Sequence, residues 1–146
     1  MCGVSPLAHF ESHLPSILAD LEAIVSLESP SHDLPGLEAV ATWLDTRFGH
    51  FGKLSREQTK NGPILSLKFG QGGPKVLVLC HYDTVHPRGV FGWRVEGERA
   101  YGPGVYDMKG NIVQLLWALR AGRELGLGLP QLEVLFTPDE EVGSLA

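Results

Sequence analysis

"KVLVLC" at residues 75–80 and "QLEVLFT" at residues 131–137 are short apolar runs, and what lies between them decides the fold. Each has the length and composition of a strand. The continuous run at 75–80 is the pattern of an interior strand covered on both faces. Between the two, Ile112, Leu115, Leu116 and Leu119 share one side of a helix that frays into "ELGLGLP". Strand, helix and strand in this order predict a crossover unit, and so a mostly parallel or mixed α/β sheet.

Towards the amino terminus the period changes to that of helices. Leu14, Ile17, Leu18, Leu21, Ile24 and Val25 follow the three-and-four spacing of an amphipathic helix with Pro15 in its first turn, and "ESPSH" at 28–32 ends it. Asp33 is a candidate N-cap for a second helix, which has Pro35 near its start and Leu37, Val40, Ala41, Leu44 and Phe48 on one face. "KLSREQT" and "PILSLKFG" then flank an Asn61-Gly62 pair, the signal of a hairpin. A Gly/Pro-rich stretch from 87 to 104 contains only strand pieces, around Trp93–Val95 and Ala100–Tyr101.

The totals narrow the function. A chain of 146 residues with 43% apolar content supports one domain with a core. Its net charge of -5 and scattered basic residues argue against a nucleic-acid surface or a polybasic membrane patch. Cys2 and Cys80 make neither a disulfide framework nor a CxxC pair, which suits a reducing compartment. There is no secretory signal at the amino terminus and no apolar stretch near the ~20 residues of a membrane helix, so the expectation is a soluble, cytoplasmic protein.

Three polar clusters follow the predicted elements, where α/β proteins place functional groups. In "CHYDTV" (80–85), His81 and Asp83 leave an extended chain on the same face, as a metal-binding imidazole with its orienting carboxylate or simply as a solvated strand end. In "YGPGVYDMKGN" (101–111), Asp107 stands where a dinucleotide loop would need a glycine, which excludes that loop. Asp107 is then either the cap of the next helix or a carboxylate able to hold two cations. In "TPDEEVGS" (137–144), Glu140 and Glu141 are either a solvated loop or a ligand beside a proton acceptor.

In their joint order, "KVLVLCHYDTV", "WRVEGERAYGPGVYDMKG" and "LEVLFTPDEEVGS", with a fainter echo in "LESPS", the clusters closely resemble the co-catalytic zinc aminopeptidase-like family. That family contains bacterial glutamate carboxypeptidases, acetylornithine deacetylases, succinyl-diaminopimelate desuccinylases and aminoacylases. The resemblance implies a three-layer helix-sheet-helix α/β fold around a mixed, mostly parallel sheet. It implies two divalent metal ions, zinc first with cobalt or manganese as substitutes. By position, His81 resembles a ligand of one zinc, Asp83 the aspartate that orients it, Asp107 the bridging carboxylate, Glu140 the general base for a metal-bridging water, and Glu141 a ligand of the second zinc.

Such a protein hydrolyses a small peptide or an N-acyl amino acid. The texture of the motifs leans towards a glutamate carboxypeptidase, with an N-acyl-amino-acid deacylase and a non-catalytic truncated remnant as the alternatives. The resemblance further implies that residues 1–146 are the amino-terminal portion of a catalytic domain. The remainder, two further metal ligands and a lid that carries the contacts of a homodimer would lie elsewhere. The fragment alone is expected to be inactive and poorly soluble. Lys109 and Gly110 read as helix-start residues and Cys80 as a buried strand residue. His9, His13, His32, His50 and His86 show no partner pattern and read as surface residues. Tyr106, Asn111 and "FGW" at 91–93 depart from the family texture around the pocket wall.

Overall fold

The structure, a computed structural model, describes residues 5–146. Cys2 lies outside them. The first helix, α1 (Pro6–Ser26), begins eight residues before the periodicity of leucines suggests, because Ser5 caps it and its side chain accepts a hydrogen bond from Ala8 N at 3.2 Å. Pro15 therefore sits in the helix interior, where it offers no N–H to the carbonyl of Glu11. Both residues are exposed, so water can serve that carbonyl. Helix α2 (Leu34–Phe48) starts after Asp33 as expected, but the Asp33 carboxylate does not cap it. It accepts instead from Arg88 Nε.

Strands β1 (Lys53–Thr59) and β2 (Gly62–Phe69) form the anticipated hairpin, joined by Lys60 and Asn61. Strand β3 (Lys75–His81) is followed by a small two-stranded ribbon, β4 (Arg94–Glu96) with β5 (Arg99–Tyr101), and then by α3 (Lys109–Glu124) and β6 (Gln131–Thr137). The main sheet runs β1-β2-β6-β3. β3 and β6 are parallel, as a crossover requires, whereas β1 with β2 and β2 with β6 are antiparallel.

The sheet is thus mixed but mostly antiparallel, which corrects the expectation of a mostly parallel one. A two-residue connection can join only antiparallel strands, and the described residues hold a single crossover helix between neighbouring strands to make a parallel pair.

Register fixes the faces. Leu65, Leu67, Val134, Phe136 and Cys80 line one side and join a single core with residues of all three helices, among them Ile24, Leu44 and Leu116. Phe48 meets Phe136 there, ring centroids 5.0 Å apart. The opposite side includes Leu77 and Leu79, which are 61% and 63% exposed. Among the described residues the architecture is therefore two-layered rather than three-layered. "KVLVLC" forms an edge strand with one bare face, not an interior strand covered on both, because its unbroken apolarity reports hydrophobic demand on two faces and not which of them is filled. No helix among the described residues is long and apolar enough to cross a membrane.

Parallel pairing sets His81 opposite Thr137, which brings the ends of β3 and β6 together. Helix α3 runs back along the sheet, so its first residues start from the same end. The three polar clusters of the sequence consequently meet.

Two outcomes test this arrangement. Phe136→Ala should destabilise the chain by about 3–5 kcal/mol in urea unfolding, since a buried aromatic leaves a cavity the core cannot fill. Replacing Leu77 by Lys and Leu79 by Glu together should raise the solubility of the 146-residue chain while moving its stability by less than about 1 kcal/mol; a large loss of stability would show that this face is covered.

Candidate metal centre

β3 ends at His81, and the chain remains extended just beyond it. Tyr82 N donates to Thr137 O at 3.0 Å, and Thr84 N donates to Ser29 O at 2.9 Å. His81 and Asp83 accordingly lie on one side, with Nδ1 of the imidazole 3.3 Å from Asp83 Oδ1 in a charge contact not aligned as a hydrogen bond. The other ring nitrogen, Nε2, is 3.0 Å from Asp107 Oδ1 and 3.9 Å from Glu140 Oε2. A ring nitrogen of His81 and one oxygen each from Asp107 and Glu141 lie within 4.8 Å of one another.

Asp107 precedes α3 but leaves its amino terminus uncapped; Met108 takes the N-cap position without a side-chain bond. The capping alternative for Asp107 is thereby removed. The loop before it is compact. Gly104 has φ +78°, and a Cβ there would lie 3.0 Å from the Lys109 side chain; at Gly110 it would lie 2.1 Å from Val105 O. Lys109 is buried and its ammonium donates to Leu27 O at 2.7 Å, fastening α3 to the end of α1. Burial pulls its pKa down to about 7.

Glu140 and Glu141 open a short 3₁₀ turn, Glu140–Val142. Their backbone N–H groups donate to Asp83 Oδ1 and Oδ2 at 3.0 and 3.2 Å, and Ser31 Oγ donates to Oδ2 at 2.6 Å. Asp139, the first of the three consecutive carboxylates, turns inward: it is buried, and its Oδ2 accepts from Asn61 Nδ2 at 2.8 Å and Leu145 N at 2.7 Å. The sequence pattern assigns no role in the site to Ser31 or Asn61, and none to Asp139 apart from its place in the run of three carboxylates. "LESPS" carried the only signal for Ser31, and Asn61 was absorbed into the hairpin.

Electrostatics follows from these contacts. Burial would lower the His81 pKa, but the Asp83 and Asp107 carboxylates at its two nitrogens outweigh it and raise it to about 9. Burial would raise Asp83, yet His81, the Ser31 hydroxyl and the two backbone N–H groups hold it below the usual carboxylate range. Burial and then the neighbouring negative groups Asp107, Asp83 and Glu140 push Glu141 up. Four carboxylates thus surround one imidazole, and an imidazolium balances only one of them. One nitrogen donor plus several carboxylate oxygens is a donor set for zinc and similar divalent ions, so the residues fit such a group. A cleft of about 350 Å³ opens onto Asp107 and Glu141, with Thr84, His86 and Tyr106 on its wall.

An α/β chain with this cluster at the ends of a parallel strand pair carries the side chains of a divalent-metal centre. Residues 77–146 match the profile of Peptidase family M20/M25/M40. It is 32% identical over 139 residues to carboxypeptidase G2 of Pseudomonas sp. (strain RS-16), a match covering 89% of this chain and 34% of that one. It is 34% identical over 86 residues to succinyl-diaminopimelate desuccinylase of Gluconobacter oxydans (strain 621H), covering 54% of this chain and 22% of that protein. The structure of the dipeptidase Dug1p from Saccharomyces cerevisiae superposes with a TM-score of 0.77 at 22% identity, covering 94% of this chain and 34% of that one. The chain therefore spans about a third of the length of carboxypeptidase G2 and Dug1p.

In metal-free protein the His81 contacts should titrate. The folded pKa lies above the ordinary 6.5, so their stabilisation is complete below about pH 6.5 and is lost as pH rises through about 9. Urea midpoints of wild type and His81→Gln, measured with chelator, should converge over that interval; a constant gap would contradict the assigned contacts.

Proposed function

We propose that the protein carrying this chain is a di-zinc hydrolase of peptide and related amide bonds, and that residues 1–146 are the amino-terminal portion of its catalytic domain. The observation that supports this most is the convergence of His81, Asp107 and Glu141 with Glu140 beside them. His81, Asp107 and Glu141 would hold the metal ions, with Asp107 shared between them. The metal pair would supply Lewis acidity, making water more acidic and a carbonyl more electrophilic.

The remaining work falls to the protein's own groups. Asp83 keeps the His81 ring turned so that Nε2 faces Asp107 and Glu140. Glu140, half exposed and 3.9 Å from His81 Nε2, would accept a proton from water on a carboxylate oxygen and return it to the departing amine nitrogen. Proton and leaving group then balance: water loses a proton to Glu140 as its oxygen bonds to the carbonyl carbon, the C–N bond breaks, the acyl part keeps that oxygen as a carboxyl group, and the amine leaves with the proton.

The resemblance to carboxypeptidase G2 across 89% of the chain favours release of a carboxy-terminal residue, glutamate first, over removal of an acyl group. The desuccinylase match keeps deacylation as the second reading, and it extends over a shorter stretch. Three ligands do not complete a two-metal centre, so we further infer that the 146 residues by themselves do not turn over substrate and that the whole protein, working as a homodimer in the cytoplasm, supplies the rest.

Carboxy-terminal glutamyl peptides, acetylornithine and N-succinyl-diaminopimelate should be assayed with the zinc-loaded protein at the length of its relatives. Cleavage of the glutamyl peptides is expected, with Glu140→Gln lowering kcat by about 10²–10⁴ while zinc content stays unchanged. Preference for the acyl substrates would select the deacylase reading, and a Glu140→Gln enzyme of undiminished kcat would remove Glu140 from the chemistry.

A further inference from the structure

A second cluster of metal-ligand side chains lies away from the centre just described. His9 and His13 are one turn apart on α1, and Glu124 is the last residue of α3, the helix that packs along α1. One ring nitrogen from each histidine and one Glu124 oxygen lie within 4.8 Å of one another. Glu124 follows Lys109 by fifteen positions on a straight helix, so this cluster sits about 20 Å from the start of α3 and from Asp107.

Without a partner pattern in the sequence, His9 and His13 are expected at the surface; His9 is instead buried, 5% exposed. Its Nε2 has no hydrogen-bond partner among the described residues, although it points to Glu124 Oε2 across 3.6 Å. A buried imidazole nitrogen without a partner is costly, which calls for a ligand to satisfy it.

His13 is prepared for the same ligand. Its Nδ1 lies 2.8 Å from the carbonyl of His9, an acceptor only, so Nδ1 carries the proton and Nε2 keeps its lone pair. A backbone carbonyl that fixes the tautomer in this way is the usual support of a metal-bound histidine. The two rings stack with centroids 4.3 Å apart, and Trp117 backs His13 at 5.4 Å.

We propose that His9, His13 and Glu124 form a second divalent-cation site of the zinc class, which clamps the start of α1 to the end of α3. Two imidazoles and one carboxylate select zinc, cobalt or nickel over calcium or magnesium, and three protein ligands leave a position for water. Glu124, half exposed, closes onto the ion from the solvent side. The ion replaces an unsatisfied buried nitrogen with a bond shared by two helices.

The site can be tested apart from the first centre and apart from any hydrolysis. In the 146-residue chain, Asp107→Ala and Glu141→Ala together remove two ligands of the first centre at positions outside the core. Zinc titrated into this background by calorimetry should bind with one equivalent per chain and raise the melting temperature. Adding His13→Gln and Glu124→Gln, neither of them core positions, should weaken that binding at least about tenfold and abolish the thermal shift, with the circular dichroism spectrum unchanged. Failure of the background variant to take up zinc would overturn the proposal. So would uptake that His13→Gln and Glu124→Gln leave intact.

Discussion

The carboxylate of Asp83 has no solvent exposure, and a buried charge must be met by donors or by an opposite charge. Everything near the candidate metal centre is arranged to meet it. Ser31 reaches it from the link between α1 and α2, His81 from the end of β3, and the backbone of Glu140 and Glu141 from the turn after β6. Three segments far apart in sequence are thus pinned to one side chain. The same contacts aim His81 and set the two glutamates beside it.

The parallel β3–β6 pair makes this meeting possible. Because His81 stands opposite Thr137, residues that follow each strand leave the sheet at one end, and α3 begins there as well. The antiparallel hairpin β1–β2 extends the sheet on the far side of β6 and contributes Asn61, which holds Asp139. Asp139 is thereby withdrawn from the cluster, so three consecutive carboxylates coexist: one is buried against donors while two stay beside His81. The excess of negative charge that remains there is what makes the centre suited to cations.

Much of the fold was legible because hydrophobic period and turn chemistry are local. The hairpin around Asn61-Gly62, the helix from Leu34 and the crossover from β3 to β6 all follow from spacing alone. Local patterns do not encode tertiary neighbours. Leucine spacing could not show that Ser5 starts α1, and six apolar residues could not show that β3 is an edge. The histidines illustrate the same limit. His9 and His13 are an ordinary i, i+4 pair until α3 brings Glu124 beside them.

The sequence by itself determined which residue types could do chemistry and in what order they follow the strands, since side-chain identity and local period are written residue by residue. Only the tertiary structure decided that Asp107 faces His81 rather than capping α3, that Asp139 turns inward, and that one sheet face stays bare. Those outcomes depend on strand register and on which buried charge finds which donor. Both are interactions between segments that no single stretch of chain contains.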